Sequence, residues 1–286
     1  MSNKLNFHIN IKSLDPQIEN IIYEKINTNP PESYAQISSC ELDKIYNIII
    51  NKFPKNKTEY FSKQIISSIR TNIMRNYMIQ SHHKIINNKN KIINDYNNKI
   101  NIKSLTIKYD ISPLNLLRII FKKIYNKKLT FIIKNISMLT PYDKNQLEWA
   151  INNDFYALIN QNEILIKSNK FELNIKKILD KHDIKYKTQN ELSDEQIKKS
   201  GIALITPDFL ILSDFYINGK KINWIDAKNF FGSNIQYIVQ KIKSQTKKYI
   251  NKWGYGSIIF NLGFSSKLKF NNILLIDYES FKNLDN

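Results

Sequence analysis

Along the first 135 residues apolar side chains return every three or four positions, the spacing of helices with one buried face. A Pro-Pro break at 30–31 leads into the amphipathic run "YAQISSCELDKIYNIII", and "TEYFSKQIISSIRTNIMRNYMIQ" keeps the same period. The asparagine-rich "HHKIINNKNKIINDYNNKIN" has a linker's composition. Its Ile85, Ile86, Ile92, Ile93 and Tyr96 nevertheless hold a helical spacing, so it too is expected to be helix. Residues 1–90 therefore read as a helical N-terminal region.

Residues 91–138 form a second segment. A short helix over Ile102–Tyr109 meets a turn at Asp110-Ile111, and Ser112-Pro113 then starts another helix, with the serine hydroxyl expected to cap it. Leu114, Leu117, Phe121 and Ile124 predict its apolar face. Asn115, Arg118 and Lys122 fall on another face, where a helix-turn-helix would read a major groove; an ordinary helical hairpin is the alternative.

From about residue 140 the pattern changes. Phe171, Ile175, Ile178 and Leu179 predict a helix that stops near His182. After it come "TPDFLIL", an Asn218-Gly219 hairpin turn, "KINWIDAK", a long polar helix through "NIQYIVQKIKSQTKKYINKW", and the strands "GSIIFNLGF" and "NILLIDY". This order predicts an α/β domain over 139–286.

In "WIDAK" a strand's period of two puts Trp224, Asp226 and Lys228 on one face and Ile225 and Ala227 on the other. Asp208 lies eighteen residues earlier, room for two strands and a tight turn, so a second carboxylate is expected alongside Asp226. Two carboxylates buried together repel, and a divalent cation removes that cost. Oxygen ligands without cysteine or paired histidines favour Mg²⁺ or Mn²⁺ over zinc. Lys228 beside such an ion would orient water and contact a phosphate, the chemistry of phosphodiester hydrolysis. The plainer alternative is two strand-end carboxylates, with Asp226 and Lys228 as a same-face ion pair.

The net charge of +18 points to nucleic acid or another polyanion. The excess is nearly all lysine: of 43 basic residues only Arg70, Arg75 and Arg118 are arginines, as AT-rich codon usage alone would produce. Lysine grips backbone more readily than it reads bases. Cys40, the single cysteine, has no disulfide partner within the chain and is expected to pack on a helix face. His82 and His83 lack further ligands at metal-site spacing, and Trp224 and Trp253 are expected in the core rather than stacked on bases. No stretch approaches the ~18 apolar residues of a membrane span, and "MSNKLNFHIN" is unlike a secretory leader. An intracellular protein is expected, in a nucleus, a cytoplasm or a viral factory, with no membrane partner.

Thr206-Pro207-Asp208 followed by "WIDAKNFFGS" resembles the codanin-interacting nuclease family, whose signature is TPD, within the PD-(D/E)XK nuclease superfamily. "KFELNIKKIL" resembles the helix bearing the first acidic motif, "SGIALITPDFL" carries the family's glycine before TPD, and "SQTKKYINKWGYG" matches its Gln and Tyr before Gly-x-Gly. "SLTIKYDISPLNLLRIIF" resembles the helix-turn-helix that precedes the nuclease domain, and the likeness spans about residues 95 to 280.

The resemblance implies a restriction-endonuclease-like domain, a mixed central sheet flanked by helices, after an all-helical region containing a helix-turn-helix. It implies a metal-dependent DNA endonuclease, leaning towards branched DNA in the manner of a Holliday-junction resolvase. Asp208 and Asp226 would be metal ligands and Lys228 the catalytic lysine. Glu172 would hold a metal or its water, with Glu191 and Glu195 as rival candidates, and Gln245 and Tyr249 would line the site. Asp226-Ala227-Lys228 stands where the family has Glu-Ser-Lys, a side chain one methylene shorter. Lys241 and Lys248 share Gln245's side of their helix and are candidates for phosphate contacts or plain solvation; Lys243 and Lys247 are expected to be solvated. The superfamily's pairing of two active sites admits a homodimer. A ribonuclease, or a DNA-binding scaffold on a silent nuclease fold, are the competing readings.

Overall fold

The computed structural model describes residues 4–26, 28–30, 32–157 and 161–285; Pro31 of the Pro-Pro break lies outside them. The helices are α1 (Pro16–Lys25), α2 (Ser39–Lys52), α3 (Lys55–Thr58), α4 (Lys63–Gln80), α5 (His82–Asn97), α6 (Ile102–Tyr109) and α7 (Pro113–Tyr125). They continue with α8 (Leu129–Lys134), α9 (Pro141–Asn153), α10 (Gln161–Lys181), α11 (Gln189–Ser200), α12 (Gln236–Trp253) and α13 (Tyr278–Lys282). The strands are β1 (Leu5–Phe7), β2 (Tyr186–Thr188), β3 (Phe209–Ile211), β4 (Phe215–Ile217), β5 (Lys220–Lys221), β6 (Trp224–Lys228), β7 (Gly256–Phe260) and β8 (Ile273–Asp277). The fold is mixed α/β.

Packing divides the chain into two units of interleaved segments. One takes Met1–Glu24, Ile48–Ile69 and Gln161–Asn286; the other takes Lys25–Asn47 and Arg70–Asn160. These cuts run elsewhere than at residues 90 and 138.

The first unit is built on a five-stranded sheet in the order β2-β3-β6-β7-β8. β2, β3 and β6 pair antiparallel, while β6, β7 and β8 pair parallel. β7, Gly-Ser-Ile-Ile-Phe, is buried at every position, as a central parallel strand covered on both faces must be. On one face Phe171, Ile175 and Leu179 of α10 pack with Ile225 and Ile259; on the other Ile238, Ile242 and Tyr249 of α12 pack with Trp224 and Ile258. The alternation in β6 thus assigns one set of side chains to each helix layer. Gly256 is required where it stands, because a Cβ there would overlap the Trp224 indole.

Against the expectation of a single hairpin joining the strands of the site, the Asn-Gly turn belongs to a separate sheet, β1-β4-β5. Asn218 and Gly219 both have positive φ, 50° and 73°, as that tight turn demands. β1, in a region expected to be all helix, pairs parallel with β4, and Ile9 N donates to Asn218 Oδ1. The N-terminal segments are part of this unit's fabric. Lys12 N donates to Asp277 Oδ2 (2.8 Å), Ser265 Oγ to the buried Glu19 (2.6 Å), and Phe231 N to Ser68 Oγ (2.9 Å).

The second unit is helical. Ile92, Tyr96, Leu105, Leu117, Phe121 and Leu147 join α5, α6, α7 and α9 around one core. Asp110 closes α6 in the left-handed conformation (φ 52°), and α7 starts three residues later. The Ser112 hydroxyl does not cap α7. The buried Asp154 does so, accepting from Leu114 N at 2.9 Å, a cap supplied from 40 residues away. Ile124 is 43% exposed rather than part of the apolar face, and its neighbour Tyr125 packs against the core instead. Cys40 is likewise exposed, not packed. Arg70 is buried and spent on Glu41 and the Tyr156 hydroxyl, both at 2.8 Å.

Candidate active site

The β3–β6 ladder stops at Phe209↔Ile225, so the next inward-facing amide of β6, that of Ala227, has no strand partner. Asp208, the residue before β3, fills the gap: its Oδ2 accepts from Ala227 N at 2.6 Å. Its backbone is fixed as well, since Gln189 N donates to Asp208 O (3.1 Å). A carboxylate is thereby set beside Asp226, whose side chain is 1% exposed.

Lys228 lies two residues on, on the same face, and its ammonium stands against Asp226 Oδ2 as an ion pair. Lys228 Nζ also donates to Gln245 Oε1 (3.0 Å), and Gln245 Nε2 returns a bond to Asp226 Oδ1 (3.0 Å) and contacts Tyr249 Oη (3.1 Å). Tyr249 in turn donates to the Thr206 carbonyl (3.2 Å) and meets the Trp224 ring edge to face at 5.3 Å. α12 thus clamps the acid, the lysine and the TPD segment together.

Charge in this pocket is unbalanced. Burial, and then the Asp226 charge, push the Asp208 carboxyl well above the usual carboxylate range, with Lys228 and the Ala227 N–H only partly offsetting them. Burial and Asp226 also raise Glu172 on α10, again with Lys228 opposing. Burial works against the Lys228 ammonium, but Asp226, Asp208 and Glu172 outweigh it and hold the lysine charged. Burial, with Asp226 behind it, raises the Tyr249 phenol, which stays neutral. Three acids share one ammonium.

Among the described residues, Asp226 Oδ2 is buried and accepts no hydrogen bond of good geometry, and the opposite charge beside it is Lys228. Among the described residues no three His, Cys, Asp or Glu side chains form a ready-made cage. Mg²⁺ does not need one, being held by one or two carboxylates with water and substrate phosphate completing its shell. The pair Asp208 and Asp226 fits that requirement and offers nothing that zinc prefers.

Glu172 is drawn into this field, whereas its rivals are engaged elsewhere: Glu191 closes a capping box with Thr188, and Glu195 pairs with Lys187. Lys241 and Lys248 are exposed on α12. Asn115, Arg118 and Lys122 lie in the other packing unit, on the outer side of α7. There Arg118 Nη1 donates to Asn115 Oδ1 (2.6 Å) and Lys122 Nζ to Asn126 Oδ1 (3.1 Å). His83 bonds the Gln80 carbonyl and both histidines are exposed. The Ala227 amide and Thr206 carbonyl, which fix Asp208 and Tyr249, are backbone groups and leave no mark in a residue pattern.

Residues 140–279 match the model of a family described as "Protein of unknown function TPD sequence-motif". The chain is 28% identical over 159 residues to an uncharacterised protein of Acanthamoeba polyphaga mimivirus, a stretch covering 54% of this chain and 56% of that protein. The chain thus spans about half the length of the curated relative it matches. No solved structure matches it.

Proposed function

We propose that the protein is a metal-dependent endonuclease that hydrolyses phosphodiester bonds in DNA. The domain bearing the site is read as restriction-endonuclease-like, and the α6–α7 hairpin as a helix-turn-helix. The observation that carries this reading is the half-buried Asp208, just before β3, set beside the buried Asp226 of β6 with Lys228 facing them. Keeping two mutually repelling acids in a sheet costs stability, and such cost is usually found where chemistry needs it.

Mg²⁺ or Mn²⁺ at the two carboxylates would act as a Lewis acid on a phosphate and lower the pKa of bound water. The chain's own groups have separable tasks. Asp208 and Asp226 hold the cation, and Glu172 holds it or its water. Lys228 places its positive charge where the transferring phosphorus centre gains negative charge, and orients the attacking water. Gln245 fixes Lys228 and Asp226 relative to each other, and Tyr249 fixes Gln245. Lys241, Lys248 and the outer face of α7 would meet DNA backbone. Branched or otherwise structured DNA is the substrate class favoured by the resemblance, and a homodimer would bring two sites to two strands.

The test is incubation of the protein with Mg²⁺, and separately Mn²⁺, and labelled single-stranded, duplex, flap and four-way-junction DNA, with a matched RNA duplex and Asp226→Asn alongside. Cleavage by the parent and not the variant, on DNA in preference to RNA, is expected. Salt-sensitive binding with no cleavage in either metal would replace this reading with a scaffold on a nuclease fold.

A further inference from the structure

α12 serves the site with one flank only. Gln245 faces Lys228, and residues two positions away, Lys243 and Lys247, point about 200° round the helix. On that far flank lies a groove of about 320 Å³, walled by α12 and by the segment entering β8. Lys243, Lys247 and Lys269 stand around it with no acid in its lining. All three are exposed, and among the described residues none forms an ion pair. Some other exposed lysines of this unit do find carboxylates, Lys57 with Asp15, Lys187 with Glu195 and Lys221 with Asp214; what marks Lys243, Lys247 and Lys269 is that they converge on one groove. Thr246 cannot neutralise the groove, since its hydroxyl is given to the Ile242 carbonyl (2.8 Å). Asn251 and Asn271 at its rim add amide donors.

Lys243 and Lys247 are four residues apart on one helix, an arrangement that costs stability when the charges are alike, and Lys269 faces them from across the groove. A bound phosphate relieves all three at once. We propose that this groove is a second anchoring subsite for the phosphodiester backbone of a nucleic acid, remote from the carboxylates. It rests on the nuclease reading for the identity of the polyanion. A strand reaching both flanks would cross the outer ridge of α12. That ridge is about 10–12 Å wide, some three phosphates at the rise of a duplex. Lys241 and Lys248, on the ridge's near side, lie along such a path. The groove would hold substrate without touching the reacting phosphate.

The test is binding of a labelled DNA duplex by fluorescence anisotropy across a salt series, in EDTA, with the full chain carrying Asp226→Asn to suppress cleavage. A second protein adds Lys243→Ala, Lys247→Ala and Lys269→Ala. A third adds Lys177→Ala, Lys198→Ala and Lys199→Ala, which removes equal charge from exposed positions on α10 and α11. The groove variant is expected to lose about 2–3 from the slope of log affinity against log salt, at about 0.9 per phosphate contact. The control is expected to change by less than about 1. In the cleaving background the groove substitutions should raise KM and leave kcat unchanged. Equal slopes for groove variant and control would overturn the subsite and leave the nuclease reading standing. No DNA binding by the Asp226→Asn chain at any salt would overturn both.

Discussion

Replacing Lys228 by Met removes the one ammonium that faces Asp226 and keeps most of the side chain's volume. Asp226, buried at 1% exposure, would retain only the bond from Gln245, and Gln245 would lose its own donor. Breaking a buried pair in this way typically costs about 3–5 kcal/mol. The expected destabilisation at pH 7 is therefore about 3–5 kcal/mol, and it shrinks on acidification, because without Lys228 burial and Asp226 push the Asp208 carboxyl further up. The sign follows from linkage. An acid whose folded pKa is raised above its unfolded value, as burial and Asp226 already make Asp208, binds protons more tightly when native. Its contribution is present in full below the unfolded pKa and is lost as pH rises through the folded one. Urea unfolding in EDTA at pH 5, 6 and 7, followed by tryptophan fluorescence, measures the trend. Adding Asp226→Asn to Lys228→Met should restore most of the loss, because the orphaned charge is gone. A loss under about 1 kcal/mol that is flat with pH would refute this account of the site's electrostatics.

Gly256→Ala is expected to force Trp224 from its seat and cost about 1–3 kcal/mol or more, with cleavage falling as well, since Trp224 supports Tyr249; thermal melts and the junction-cleavage assay read the two effects. Asp154→Ala should lower stability by about 0.5–2 kcal/mol through loss of the α7 cap, with Ser112→Ala nearly silent, and equal effects in urea titrations would restore the serine as the cap. A chain cut to residues 139–286 is expected to show no cooperative unfolding transition by circular dichroism, for want of β1, α1 and the 48–69 segment; a sharp transition would show those segments to be dispensable.

Where structure lay in local pattern, the sequence was readable. Asn218-Gly219 demanded positive φ twice and has it; the alternation of Trp224, Asp226 and Lys228 against Ile225 and Ala227 became two helix layers. Phe171, Ile175 and Leu179 marked the buried face of α10 because that face is continuous. What escaped depended on distant chain. Three residues, Leu5 to Phe7, carry too little periodicity to announce a strand that pairs with β4. Ser112 looked like a cap because local chemistry allowed it, while Asp154 won from a later helix end. Ile124 continued a helical stripe by spacing alone, where the core takes the adjacent Tyr125.

The parallel pairing of β1 with β4 also sets a timetable. During synthesis Ile9 leaves the ribosome long before its partner Asn218, 209 residues later. At 5–20 residues per second that wait is roughly 10–40 s. All of the Lys25–Asn47 and Arg70–Asn160 unit emerges in between and can fold first, dominated by short-range helix contacts. Residues 5–9 are thus among the last to find their places, and through that interval β1 is an unpaired edge open to aggregation or to capture by a chaperone.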